Sequence, residues 1–102
     1  MEKTHLEGLL LIKPNVYEDK RGYFYENYRD ELFEANGLPT NFRQDNQTKS
    51  VKGTLRGLHY QLKYPQGKLV RVSLGMVYDV AVDIRKTSPT FGQYFGLSVK
   101  LE

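Results

Sequence analysis

Apolar side chains in this chain never run together for more than four residues, and the longest run, residues 9–12, ends at once in Lys13 and Pro14. Elsewhere they alternate with polar ones, most cleanly at Phe95, Leu97, Val99 and Leu101. Alternation with a period of two sends successive side chains to opposite faces of an extended backbone, so short strands are what this pattern builds. One stretch only, residues 29–36, reads as a helix. It has Leu32, Phe33 and Ala35 as apolar positions, Gly37 just past the end and Pro39 beyond.

The strands expected on this basis cover residues 9–12, 23–28, 42–46, 55–62 and 94–101. Residues 68–74 and 76–85 are expected as a hairpin around Gly75. Turn signals separate them: Glu18, Asp19, Lys20, Arg21 and Gly22 form one, and residues 63–67 another. About seven short strands with such punctuation specify an all-β sandwich or barrel with one short helix. At 102 residues the chain is expected to be one small domain spanning 1–102, or part of one. The last strand runs to Leu101 and Glu102 with no cap and no partner after it, so a truncated domain is expected.

Composition narrows the function. A 39% hydrophobic, 13% aromatic chain has the material for a core. Its 15 basic and 12 acidic residues give a net charge of only +3, and the cations are scattered. Nucleic-acid binding wants a continuous basic face, and this chain has none; a small phosphate-bearing ligand stays compatible. Without cysteine there is no disulfide, thiolate metal site or cysteine nucleophile. No stretch is long enough to span a membrane, and the N-terminal residues lack the apolar run of a signal peptide, so a cytoplasmic protein is expected.

Chemistry concentrates in two neighbouring stretches, residues 56–61 and 67–72. His59 lies in apolar, strand-like surroundings with Arg56 just before it and Lys68 further on. One titratable base between two fixed cations suits removal of a proton beside a carbonyl in an anionic substrate. A hydrogen-bonded structural histidine is the plainer alternative. Arg56, three positions from His59, falls on the opposite face of an ideal strand unless Gly57 makes a bulge that turns both inward. Lys68 shares a stripe with Val70, Val72 and Leu74, and either snorkels out at the sheet edge or points into a cavity. Asp79 and Asp83 share a face with Ala81, and their carboxylates stand in water or line a barrel interior. Gln44, Asp45 and Asn46 are consecutive hydrogen-bonding side chains that also fit a polar strand end.

Residues 57–61 resemble the cupin signature, in which two histidines two residues apart bind a metal. Position 61 here is Gln61 and no second histidine is near, which leaves too few ligands for a transition metal.

A wider resemblance runs through the chain. Residues 21–26, 44–46, 55–61, 67–72 and 80–85, followed by Ser88, Pro89, Thr90, Phe91 and Gly92, occur in the order of the dTDP-4-dehydrorhamnose 3,5-epimerase family. The resemblance covers almost everything from Gly8 onward. It implies a cupin-type jelly roll (a double-stranded β-helix), a homodimer, and no metal or organic cofactor. It also implies a substrate, dTDP-4-dehydro-6-deoxy-glucose, whose C3 and C5 are inverted on the route to dTDP-L-rhamnose.

Residue by residue, the resemblance makes His59 the base that takes the proton and sets Lys68 beside the C4 oxygen; Asp83 is the third catalytic candidate. Arg56, Gln44, Asp45 and Asn46 would hold the nucleotide-sugar. Arg21 and Glu26 match positions that reach the ligand in the partner subunit's site, and Tyr17 an aromatic position near the thymine. Family enzymes continue into a stretch with the tyrosine acid and the aspartate that orients the histidine. Nothing here matches either, so the acid is expected beyond residue 102. A single-centre epimerase of another deoxysugar pathway and a non-catalytic nucleotide-sugar-binding cupin are the alternatives.

Overall fold

The computed structural model describes residues 1–100. It divides into two compact units, one of Met1–Asn27 with Val70–Glu102 and the other of Tyr28–Leu69. Its elements are six strands and one helix among the described residues.

The first unit is built from three antiparallel hairpins. β1 (Glu2–Lys3) pairs with β2 (Leu10–Leu11). The turn between them is closed by Thr4 Oγ1, which donates to the Leu9 carbonyl at 2.9 Å, and it buries Leu6. β3 (Val16–Asp19) and β4 (Gly22–Tyr25) form a second hairpin with Tyr17 opposite Phe24 and Asp19 opposite Gly22. Only Lys20 and Arg21 lie between the strands, and so tight a connection calls for a positive φ, which Gly22 supplies at +141°.

The third hairpin is the longest. β5 (Met76–Val82) pairs with β6 (Tyr94–Lys100) along its whole length, from Met76 opposite Lys100 to Val82 opposite Tyr94. Its connection, residues 83–93, is drawn together at the base. There the Asp83 amide donates to the Gln93 carbonyl at 2.9 Å and the Gly92 amide to the Asp83 carbonyl at 2.8 Å.

The second unit holds the helix, α1 (Asp30–Ala35), one residue inside the expected span at each end. Asp30 and Glu31 in its first turn favour the positive end of the helix dipole. At its end the Leu38 amide donates to the Phe33 carbonyl at 2.9 Å and the Gly37 amide to the Glu34 carbonyl at 3.0 Å. That Schellman arrangement needs a left-handed residue, and Gly37 has φ +72°. Phe33 is 2% exposed and meets Tyr28 edge-on with ring centroids 4.6 Å apart. Phe42 completes the cluster, 5.7 Å from Tyr28. The Tyr28 hydroxyl donates to the Thr40 carbonyl at 3.2 Å, which ties the loop after the helix to the same cluster.

Three expected strands, 42–46, 55–62 and 68–74, are not strands here. The hairpin around Gly75 is likewise replaced: residues 76–82 pair with β6. The reason is physical. Alternation makes a segment able to be a strand, but a ladder needs a neighbour to accept its amides. Among the described residues, the one backbone–backbone hydrogen bond within 40–75 runs from the Thr54 amide to the Val51 carbonyl. Leu55, Leu58, Leu62 and Leu74 there are exposed, so among the described residues the buried apolar side chains are Leu6 and Phe33 alone. Leu101, expected at the end of the last strand, lies outside the described residues. Among the described residues no helix is long and apolar enough to cross a membrane.

Candidate functional site

The second unit carries six of the expected site residues: Gln44, Asp45, Asn46, Arg56, His59 and Lys68. All six are exposed on irregular backbone. Gly57 has the positive φ, +103°, that a bulge-like kink requires, and the His59 ring folds back over it. A Cβ placed on Gly57 would stand 3.5 Å from His59 Nδ1, an ordinary contact, so it is the positive φ and not the space that favours glycine there. The expected bulge turning Arg56 and His59 inward is not found: residues 55–62 form no strand, and both side chains are exposed. Arg56 Nε donates to Ser50 Oγ at 3.0 Å. No hydrogen bond joins Arg56, His59 and Lys68 to one another among the described residues.

The first unit carries Tyr17, Arg21, Glu26 and Asp83. Tyr17 and Arg21 line one shallow concavity of about 280 Å³ at the β3–β4 tip, together with Asp19, Gly22, Tyr23 and Phe24. Asp19 Oδ1 accepts the Arg21 amide at 2.8 Å, and Oδ2 accepts Arg21 Nη2 at 2.7 Å and Nε at 3.2 Å. Arg21 in this contact, side chain first and amide second, holds the Asp19 carboxyl below the usual carboxylate range.

Asp83 repeats this geometry in different surroundings. Its Oδ1 accepts the Arg85 amide at 3.0 Å and Nε at 2.9 Å, and its Oδ2 accepts Arg85 Nη2 at 3.0 Å. Two hydroxyls then close on Oδ2, Ser88 Oγ and Thr90 Oγ1, each at 2.6 Å. The side chain is 1% exposed. Arg85 first, then Ser88 and Thr90, keep the carboxyl ionised far below its ordinary range. Of the two environments open to Asp83 on sequence, neither is found: it is buried, yet in the connection it fastens.

Asp19, Ser88 and Thr90 were not singled out by sequence reasoning as partners in these contacts. The signal was available as an aspartate two residues before an arginine at a turn, once at 19–21 and again at 83–85. No group of three or more His, Asp or Glu side chains that could hold a metal ion occurs among the described residues.

The chain matches the family model described as dTDP-4-dehydrorhamnose 3,5-epimerase over residues 3–102. It is 52% identical to the dTDP-4-dehydrorhamnose 3,5-epimerase of Methanothermobacter thermautotrophicus across 98% of this chain and 54% of that protein. The crystal structure of the Sulfolobus tokodaii dTDP-4-dehydrorhamnose 3,5-epimerase superposes with a TM-score of 0.86 at 45% identity, over 95% of this chain and 55% of that one. A Legionella pneumophila dTDP-6-deoxy-D-glucose-3,5-epimerase, solved in complex with dTDP-4-keto-L-rhamnose, is 53% identical with a TM-score of 0.80, over 84% of this chain and 46% of that one. The fold class is thus the all-β, cupin-type jelly roll expected from sequence. The chain spans about half the length of the curated relatives it matches.

Proposed function

Because the chain belongs to the dTDP-4-dehydrorhamnose 3,5-epimerase family, we propose that it serves the cofactor-free inversion of C3 and C5 in dTDP-4-dehydro-6-deoxy-D-glucose, on the way to dTDP-L-rhamnose. The observation that carries this reading is the likeness to the Legionella pneumophila enzyme holding dTDP-4-keto-L-rhamnose, at 53% identity.

In this reading His59 takes the proton from carbon beside the C4 ketone. Imidazole is far too weak a base to do so unaided, so the enolate must be stabilised as it forms. Lys68 supplies the cation at the enolate oxygen. Arg56, Gln44, Asp45 and Asn46 hold the nucleotide-sugar, and Tyr17 lies near the thymine. Asp83 has a supporting part: five hydrogen bonds leave its carboxylate no spare lone pair with which to move a proton. Reprotonation from the opposite face falls to a tyrosine in the further stretch of the family enzymes.

We place the protein in the cytoplasm, as a nucleotide-linked substrate favours, and as a homodimer in which Arg21 and Glu26 reach the partner's ligand. The exposed rings at the β3–β4 tip, Tyr17, Tyr23 and Phe24, support the second point.

Deuterium wash-in followed by NMR tests the reaction. Incubated with dTDP-4-dehydro-6-deoxy-D-glucose in D2O, the protein is expected to place label at C3 and C5, and His59→Ala to abolish it. Label at one carbon alone would make this a single-centre epimerase. A folded protein that binds dTDP without exchange would be a non-catalytic binder.

A further inference from the structure

Resting on that reading of Arg21 as a ligand-binding residue, we propose that Asp19 is its positioning residue, holding the Arg21 guanidinium so that its outer edge is presented to the phosphates of a nucleoside diphosphate. A guanidinium is a planar fork with two useful edges. The side edge carries Nε and one Nη2 hydrogen; the end edge carries Nη1 and the other Nη2 hydrogen. Asp19 Oδ2 occupies the side edge, through Nε at 3.2 Å and Nη2 at 2.7 Å. The end edge stays open to water, and the Arg21 side chain is 91% exposed. Two parallel donors on that edge match two phosphate oxygens.

The same carboxylate fixes the backbone beneath. Asp19 Oδ1 accepts the Arg21 amide at 2.8 Å, so both ends of one residue answer to one neighbour. An arginine ordered before its ligand arrives loses less rotamer freedom on binding. The guanidinium also stands between the Asp19 oxygens and an anion on its end edge, which keeps the two negative groups apart.

The pair at Asp83 and Arg85 shows why this is a presenting device and not merely a turn. There Ser88 and Thr90 also bind the carboxylate, and the group is buried. At that turn the arginine serves the aspartate. At the β3–β4 tip the Asp19 carboxylate, 52% exposed, is held by the Arg21 side chain and by the Arg21 and Gly22 amides, with no other side chain on it among the described residues, and Tyr17, Tyr23 and Phe24 wall the same concavity. Here the aspartate serves the arginine.

A double-mutant cycle read by titration calorimetry with thymidine diphosphate tests this. Asp19→Ala should weaken binding about two- to fivefold, the range of an exposed ion pair. Arg21→Ala should weaken it about tenfold or more, as loss of a charged contact does. In the Arg21→Ala background, Asp19→Ala should add nothing. Asp19→Asn, which keeps an acceptor for the amide, should fall between parent and Asp19→Ala and guards against a misfolded turn. An equal loss in both backgrounds would reduce Asp19 to a structural turn residue. Unchanged or tighter binding by Asp19→Ala would overturn the proposal directly. Binding by the parent that ignores Arg21→Ala would end the proposal while leaving the epimerase reading intact. A parent that binds no nucleotide would end both.

Discussion

The phenol ring of Tyr78 lies across Gly96 on the neighbouring strand, one diagonal step from its register partner Ser98. A Cβ built on Gly96 would stand 2.7 Å from Tyr78 Cζ, closer than packed atoms tolerate. The ring is 66% exposed and has space to swing outward. Gly96→Ala should therefore fold and lose only about 0.2–1 kcal/mol, the scale of a cross-strand pair. Chemical denaturation measures the loss, and the nuclear Overhauser contact between the Tyr78 ring and position 96 should vanish.

Phe33→Ala should be far more damaging. Phe33 is the one buried apolar side chain of its unit among the described residues, and its loss leaves Tyr28 and Phe42 facing a void. A cost of about 3–5 kcal/mol is expected. Amide hydrogen exchange across α1 should report it, with protection lost in the helix and retained in β5 and β6.

Acid should release the β5–β6 connection. The Asp83 carboxyl titrates lower in the folded chain than in the unfolded one, so on acidification the unfolded state takes up the proton first. The stability this group contributes is complete above its ordinary value of about 4 and is lost as the pH falls below it. Melting temperatures measured down to about pH 2 should drop steeply for the parent. Asp83→Asn should start lower and show a shallower slope. An unchanged slope would mean that other carboxyls govern the acid limb.

Lys68→Met removes the cation assigned to the enolate oxygen and keeps much of the side-chain bulk. Loss of one such donor costs about 100- to 1,000-fold in rate, and deuterium exchange should slow by that order. A rate within a few-fold of the parent would take Lys68 out of the mechanism.

How much of this could be read beforehand differs from segment to segment. The helix was legible because its stop is local: Gly37 and Pro39 end it whatever the rest of the chain does. The alternation of Phe95, Leu97 and Val99 likewise marked β6. A strand, however, is a relation between two segments, and residues 55–62 carry the pattern without a partner. The neighbour of β5 was misjudged for the same reason. Gly75 offered a nearby turn, while β6 had to be reached across residues 83–93.

The site divides along the same line. His59 stands out in the sequence from its immediate neighbours alone, and the positive φ of Gly57 is a local feature of the kind glycine signals. Asp83 did not yield to a face argument, because Ser88 and Thr90 reach it from across a turn that alternation does not describe. The Asp19 contact was hidden differently: an aspartate in a polar turn looks like solvent-facing punctuation until the arginine two residues on is considered with it.

The interleaving of the two units bears on the order in which a ribosome can finish them. Residues Tyr28–Leu69 emerge as one uninterrupted stretch and can gather around Phe33 as soon as they are clear. Met1–Asn27 are made before that stretch yet belong with Val70–Glu102, and contacts such as that of His5 with Phe95, 6.2 Å between ring centres, must wait until the later segment has been made. At roughly 5–20 residues per second, that delay is on the order of seconds. The segment made before Tyr28–Leu69 is thus completed only after it.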